Sequence, residues 1–373
     1  MPTAALRSPV NRQRLKPAEV IADLRAAVPQ IQARAPALDA SGAFPTEDIA
    51  LLKEIGAIEI FGSEGVSALE LMEALRLCGR ANLSLGRIFE GHVNGARLIG
   101  WYGDAVQQDG VEEMLRAGRV FGVWNTERAP VTIAADERGR PVLRGGKSFA
   151  TGSGFIDFAI VTAAGESGGR QMVIVTANTA GRTDPASWRV RGMKSTVSGT
   201  YDLTGLPAGP EVRLGKPGDY EREPRFSAGA WRFTAVQLGG VERVISLLRE
   251  HLASSPAGND PIHRARFGEA LAAARSAFLW VREAALRAES PLAGAAEIAF
   301  VLMTRGVVER AGLQAMEAAA RTVGTRAFFD DHPIDQACRD LALYLRQPVP
   351  DQALDRASAA FIEQDCWRDD PLW

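Results

Sequence analysis

The sequence predicts an α+β, multi-domain protein in which helices, a compact β unit and a second set of helices follow one another. Three observations carry this. Apolar residues recur at helical spacing from about residue 17 to 117. Short β-branched and aromatic runs, separated by Gly, Pro and Asp turns, fill about 118 to 220. From about 227 long Ala-rich stretches return to the helical period. Segregation of this kind excludes alternating βαβ units. The expected divisions are 1–117, 118–222 and 223–373.

The first helix is expected over 17–34, opening on Pro17 and carrying Val20, Ile21, Leu24, Ala27 and Val28 on one face. Thr46 caps the next, with Glu47 and Asp48 in the first turn, Ile49, Leu51, Leu52 and Ile55 behind them, and Gly56 as the stop. Amphipathic spacing recurs over 65–80 and 84–101. The expected strands are Val120–Trp124, Val142–Arg144, Ala159–Ala163, Met172–Thr176 and Trp188–Val190. Residues 231–253, 261–289, 294–322 and 333–346 read as four helices, several long enough to pack as antiparallel neighbours in a bundle.

Composition narrows the function. With 43 basic and 45 acidic residues in 373, the net charge is −2 and a bulk nucleic-acid footprint is absent. Cys78, Cys338 and Cys366 are scattered, which fits neither a disulfide framework nor a zinc ribbon. His92, His251, His263 and His332 form no close helical pair, so no metal site is expected. No apolar run reaches membrane-spanning length, and the first 17 residues lack an apolar leader core, so the expected location is cytoplasmic. Gly165-Glu166-Ser167-Gly168-Gly169 fits G-x-S-x-G, but apolar strand patterns flank it on both sides, which marks a hairpin turn and not a nucleophile elbow. Gly152-Ser153-Gly154 lacks the third glycine of a dinucleotide fingerprint and opens no helix.

Four segments resemble the acyl-CoA dehydrogenase superfamily of flavoproteins. Phe44-Pro45-Thr46-Glu47-Asp48 with Leu51, Leu52 and Gly56 is similar to an early family helix. Phe121-Gly122-Val123-Trp124-Asn125-Thr126-Glu127 resembles the strand that ends in Thr-Glu-Pro-Gly, without the Pro-Gly. Gly146-Lys147-Ser148-Phe149-Ala150-Thr151-Gly152 resembles the strand whose aromatic covers the flavin and whose Thr bonds it. Arg264-Ala265-Arg266-Phe267-Gly268 and the stretch Gly324–Asp340 resemble bundle motifs that reach the flavin dinucleotide of a neighbouring subunit.

The resemblance implies a helical domain, a middle β-barrel and a C-terminal four-helix bundle. It implies FAD as cofactor and a homodimer or homotetramer, with no nucleic acid, membrane or metal partner. Trp124, Asn125, Thr126, Phe149, Thr151, Arg264, Phe267 and Gly324 become the expected FAD contacts, with Phe149 as stacking face and Thr151 as donor. Arg339 and Asp340 are expected to order their helix.

The family's dehydrogenases remove a proton with a glutamate placed just after an Arg-Asp-x-x-x-Tyr-x-x-Tyr pattern. Here that position is Pro348, which transfers no proton. Gln347 precedes it, where related flavin monooxygenases carry a His, no His follows His332, and Asp351 is the nearest downstream carboxylate. The alternative position at the start of the bundle reads Ala230-Trp231-Arg232-Phe233-Thr234, again without a carboxylate. The expected catalytic candidates are therefore Asp351 and Gln347. Asn125 and Gln237 are further polar cleft residues, and Arg232 and Arg346 are candidates to receive a carboxylate or phosphate of the substrate. The resemblance implies an FAD-dependent oxidoreductase acting on CH–CH groups of an acyl thioester or related small molecule. The alternatives are a flavin-dependent monooxygenase on the same scaffold and a non-catalytic flavin-binding or interaction descendant.

Overall fold

A computed structural model describes residues 16–165 and 168–363. The first fifteen residues, where the absence of a leader was read, Glu166 and Ser167 of the hairpin turn, and Cys366 lie outside the described residues.

Six helices come first: α1 (Pro17–Ser41), α2 (Thr46–Glu54), α3 (Ala57–Gly62), α4 (Ala68–Ala81), α5 (Leu83–Tyr102) and α6 (Ala105–Arg116). Their ends follow local chemistry. Gly42 closes α1 at a φ of 65°. Ser67 and Glu70 make a capping box on α4, and the side chain of Asn82 accepts from the amides of Ser84 and Leu85 at the head of α5.

Eight strands follow: β1 (Phe121–Trp124), β2 (Glu127–Ala135), β3 (Pro141–Lys147), β4 (Phe158–Ala164), β5 (Arg170–Thr176), β6 (Thr183–Asp184), β7 (Thr200–Asp202) and β8 (Arg213–Leu214). They form one sheet in the order β6-β7-β3-β2-β4-β5-β8, with β1 pairing β4 off that path. β4 and β5 are antiparallel, with Ala164 opposite Arg170, so they flank the G-x-S-x-G segment as hairpin arms. The expected strand at Trp188–Val190 is a loop instead, behind a short 3₁₀ turn at Pro185–Ser187. β2 escaped the sequence reading because Pro130 interrupts it and much of its length is exposed, which hides the alternation.

The chain then returns to helices: α7 (Arg225–Ala228), α8 (Trp231–Ser254), α9 (Pro261–Ala288), α10 (Ala295–Val323), α11 (Pro333–Tyr344) and α12 (Pro350–Glu363). α12 was not expected, because only Ala353 and Ala357 of it are buried and its apolar stripe is therefore faint. None of the described helices is long and apolar enough to cross a membrane.

One close approach positions the site. α5 lies directly on β1, and a Cβ on Gly95 would stand 2.8 Å from the Phe121 Cβ and 3.2 Å from the Gly122 carbonyl oxygen. Only glycine lets the helix come this near. His92 locks the contact from within: its Nδ1 accepts from the Phe121 amide at 3.2 Å and its Nε2 donates to the Ile58 carbonyl at 2.8 Å. Burial pushes the His92 pKa down to about 4, so the ring is neutral in the fold.

Candidate functional site

β1 and β2 share one edge of β4 but do not run on continuously. Trp124 stands opposite Val161, and the next partner on that edge is Thr132 opposite Ala164. The chain must leave the edge between them, and Asn125 and Thr126 sit at the point of departure. Lys147, wholly buried at the end of β3, holds the break together. Its Nζ donates to the carbonyls of Asn125 at 3.0 Å and Thr162 at 2.7 Å, with a Glu127 carboxylate oxygen 3.6 Å away. Burial first, and the nearby Arg170 second, push the Lys147 pKa down to about 8. The Asn125 side chain accepts from the Thr162 hydroxyl at 2.6 Å, while Thr126 is left exposed.

Trp124, buried against Tyr201, carries the break to the next segment. Its indole N–H donates to the Thr151 carbonyl at 3.0 Å. That turn holds Phe149 at a φ of 51° and leaves the ring 56% exposed, edge-on to Trp188. A bulky residue in the left-handed region is strained, and such strain concentrates at functional sites. The loop that pairs with this turn is strained too: Met193 has a φ of 52° and Val197 one of 45°. Gly152 and Ala150 donate their amides to the carbonyls of Thr196 and Gly199.

Hydroxyls between the two loops form a directed relay. Thr196 donates to the Met193 carbonyl at 2.9 Å, which can only accept. Ser198 donates to Thr196 at 2.8 Å, so at the 2.9 Å contact with Ser198 it is Thr151 that supplies the proton. Thr151 was expected to donate to the cofactor. The relay spends its proton, so Thr151 offers lone pairs instead.

The Met193 loop is pinned to the bundle. A Cβ on Gly192 would lie 2.2 Å from the Arg339 carbonyl oxygen, and the Met193 amide donates to the Asp340 carboxylate. Arg339 pairs with Asp39 of α1 at 2.7 Å and with Asp335 at 2.6 Å. The Arg-Asp pair thus ties together α1, the loop and α11.

A second polar system lies beneath. Arg87, Glu90, Asn94 and Arg97 occupy one face of α5 at spacings of three and four. Arg87 and Asn94 both donate to Glu90. Arg232 Nε donates to Asn94 Oδ1 at 2.6 Å, and Arg232 Nη1 donates to Glu289 at 3.1 Å. Arg97 reaches the other Glu289 oxygen at 2.6 Å, and the Trp231 indole donates to Glu289 at 2.9 Å. Tyr344 is also fully buried, and no partner for its hydroxyl exists among the described residues.

Trp124, Asn125, Thr126, Phe149 and Thr151 therefore belong to connected segments, and the other expected residues lie elsewhere. Arg232, expected to face substrate, is 5% exposed and already held by Asn94 and Glu289. Arg346 is exposed and paired with Glu309 of α10. Gln347 gives its carbonyl to Arg305 at 3.1 Å. Asp351 is exposed in the first turn of α12. Gln237 donates to the Tyr344 carbonyl at 2.8 Å and so braces α8 against α11. Arg264 is exposed on α9, Phe267 packs partly into the core, and Gly324 has open space around it at a φ of 72°. Arg87, Glu90, Asn94, Ser198 and Tyr344 are the residues the motif reading missed. The signal for the first three was a polar 3-4-3 spacing in an otherwise apolar helix.

The donor set suits a planar heterocycle. An exposed ring stands at a strained turn, and a hydroxyl with spare lone pairs and an exposed Thr lie on the adjoining segments. No grouping of three or more His, Cys, Asp or Glu among the described residues is placed to hold a metal ion.

No family model matches the chain. A dibenzothiophene monooxygenase of Rhodococcus erythropolis is 26% identical over 255 residues, which covers 60% of this chain and 61% of that relative's own length. Dibenzothiophene monooxygenase TdsC of Paenibacillus sp. A11-2, solved with FMN and indole, superposes with a TM-score of 0.83 at 19% identity, over 92% of this chain and 97% of its own. Glutaryl-coenzyme A dehydrogenase superposes with a TM-score of 0.78 at 19% identity, over 95% and 96%. The chain has the helix–sheet–helix fold of the acyl-CoA dehydrogenases.

Proposed function

We propose that this protein is a flavin-dependent oxidoreductase whose flavin ring lies against Phe149 at the β1–β2 break, and that it oxygenates a small molecule. The observation that carries the reaction class is Pro348. Dehydrogenation of an acyl thioester requires a base to take the α-proton, and the position that would supply it has none. Asp351, three residues on, is exposed at the start of α12. Oxygenation needs no carboxylate at that place. The similarity to dibenzothiophene monooxygenases supports the same reading.

When bound, the flavin supplies two-electron chemistry and, once reduced, activation of dioxygen. The chain's own residues orient it. Phe149 offers a face, the Thr151 hydroxyl accepts from an N–H of the ring edge, and Thr126 offers a second hydroxyl. Trp124 fixes the Thr151 backbone, and Lys147 fixes the carbonyl of Asn125. Both FAD and FMN suit these contacts, since all of them address the ring.

We propose further that the units 1–117, 118–222 and 223–373 act in a homodimer or homotetramer. Arg264, exposed on α9, would meet the dinucleotide phosphate of a second copy. The exposed stripe Leu271, Leu279 and Leu286 on the same helix supports a self-contact there.

The reaction class is tested by two assays on flavin-loaded protein. Product formed only from reduced flavin and oxygen supports oxygenation. Anaerobic bleaching by an acyl thioester, abolished by Asp351→Asn, would establish the dehydrogenase instead.

A further inference from the structure

We infer that Arg87 and Tyr344 form a head-group subsite, and that the substrate it takes is a small organic anion such as a carboxylate or sulfinate. The inference deepens the oxidoreductase reading and rests on it for the word substrate.

Charge balance is the first argument. The connected chain Arg87–Glu90–Asn94–Arg232–Glu289–Arg97 holds three guanidinium groups against two carboxylates. A surplus cation in a half-buried network favours an anion. Arg97 and Arg232 share Glu289, and Arg97 Nε is buried without a partner among the described residues, while Arg87 uses one nitrogen on Glu90 and presents a fork with further N–H groups.

The orphaned phenol is the second. Tyr344 is fully buried, its hydroxyl has no partner among the described residues, and α11, which carries it, packs against α5, which carries Arg87 and Glu90. Buried hydroxyls are almost always bonded, so one without a partner marks the place of an absent one.

Position is the third. A Cβ on Gly91 would meet Arg87 Nη1 at 3.3 Å and the Gly122 Cα at 4.0 Å. Gly91, beside the guanidinium, approaches β1 two residues before Trp124, and Tyr344 ends α11 three residues before Gln347. An apolar acyl chain has no use for such a lining.

The test is isothermal titration of the purified protein with benzoate and with its neutral isostere nitrobenzene, with and without FMN. Benzoate is expected to bind about tenfold more tightly. Tyr344→Phe should remove most of that preference without lowering the thermal midpoint, since it deletes an unpaired group. Arg87→Gln/Glu90→Gln, which removes both charges together, should lose the preference too. Equal binding of the two probes, a preference kept by either variant, or a fall in the midpoint of Tyr344→Phe overturns the subsite. FMN binding without benzoate preference overturns the subsite alone, and benzoate preference in a protein that takes no flavin overturns the oxidoreductase reading alone.

Discussion

The indole N–H of Trp124 donates to the carbonyl of Thr151 at 3.0 Å, and this bond joins the end of β1 to the strained turn after β3. Both segments were read as flavin contacts, and the indole holds them in one place. Trp124→Phe keeps most of the ring's volume but leaves a buried carbonyl unpaired. The expected cost is about 1–2 kcal/mol in urea unfolding, with weaker flavin binding in a fluorescence titration. Unchanged flavin affinity would remove the bond from the site.

Phe149 separates stability from binding. Its φ of 51° is costly for any residue but glycine. Phe149→Gly should therefore leave the thermal midpoint level or raise it, while flavin affinity falls by about tenfold for the lost stacking face. A protein that loses stability and keeps its flavin would show the ring to be a packing residue.

Glu289 balances two arginines. Burial raises its pKa, but Arg232 and Arg97 lower it further, so it stays ionised below the ordinary glutamate range. Its contribution is present above that range and is lost as pH falls through the lowered pKa. Glu289→Gln strips one charge from a buried network and should cost about 3 kcal/mol at pH 7, read by denaturant unfolding. A cost below 1 kcal/mol would show the network to be solvated.

His92 makes folding pH-dependent. Its pKa is about 4 in the fold against an ordinary 6.5, so the unfolded chain binds the extra proton first. The stability it provides is present above about pH 6.5 and is lost as pH falls toward 4. Asp340, which burial pushes up to about 7, works in the opposite direction over much of that range, so the difference between proteins is the measure. The penalty of His92→Asn should be about 2 kcal/mol larger at pH 7 than at pH 5. An equal penalty at both would mean that the ring takes up its proton at the same pH in the fold as in the unfolded chain.

The long helices were legible because periodic apolar faces and an opening residue such as Pro17 are local signals, but Thr46, expected as a cap, is the first residue of α2 and makes no side-chain capping bond. α1 was read to residue 34 but continues to Ser41, through the internal prolines Pro29 and Pro36, as packing overrides local preference. The paired segments around Trp124 and Phe149 were legible through their motifs. The polar face of α5 was not, because Arg87, Glu90, Asn94 and Arg97 look like a solvated stripe until α8 and Glu289 are placed over it. Nor was the direction of the Thr151 relay, which depends on Ser198, 47 positions away. Arg232 was singled out for its charge, but its engagement with Asn94, 138 positions away, is visible only in three dimensions.

The visible absorption spectrum of the purified protein, taken after adding FMN or FAD and removing unbound flavin by gel filtration, tests the central claim most directly. A flavin band that stays with the protein, and is weakened in Phe149→Gly, is the predicted result. A colourless protein after saturation with either flavin would contradict it.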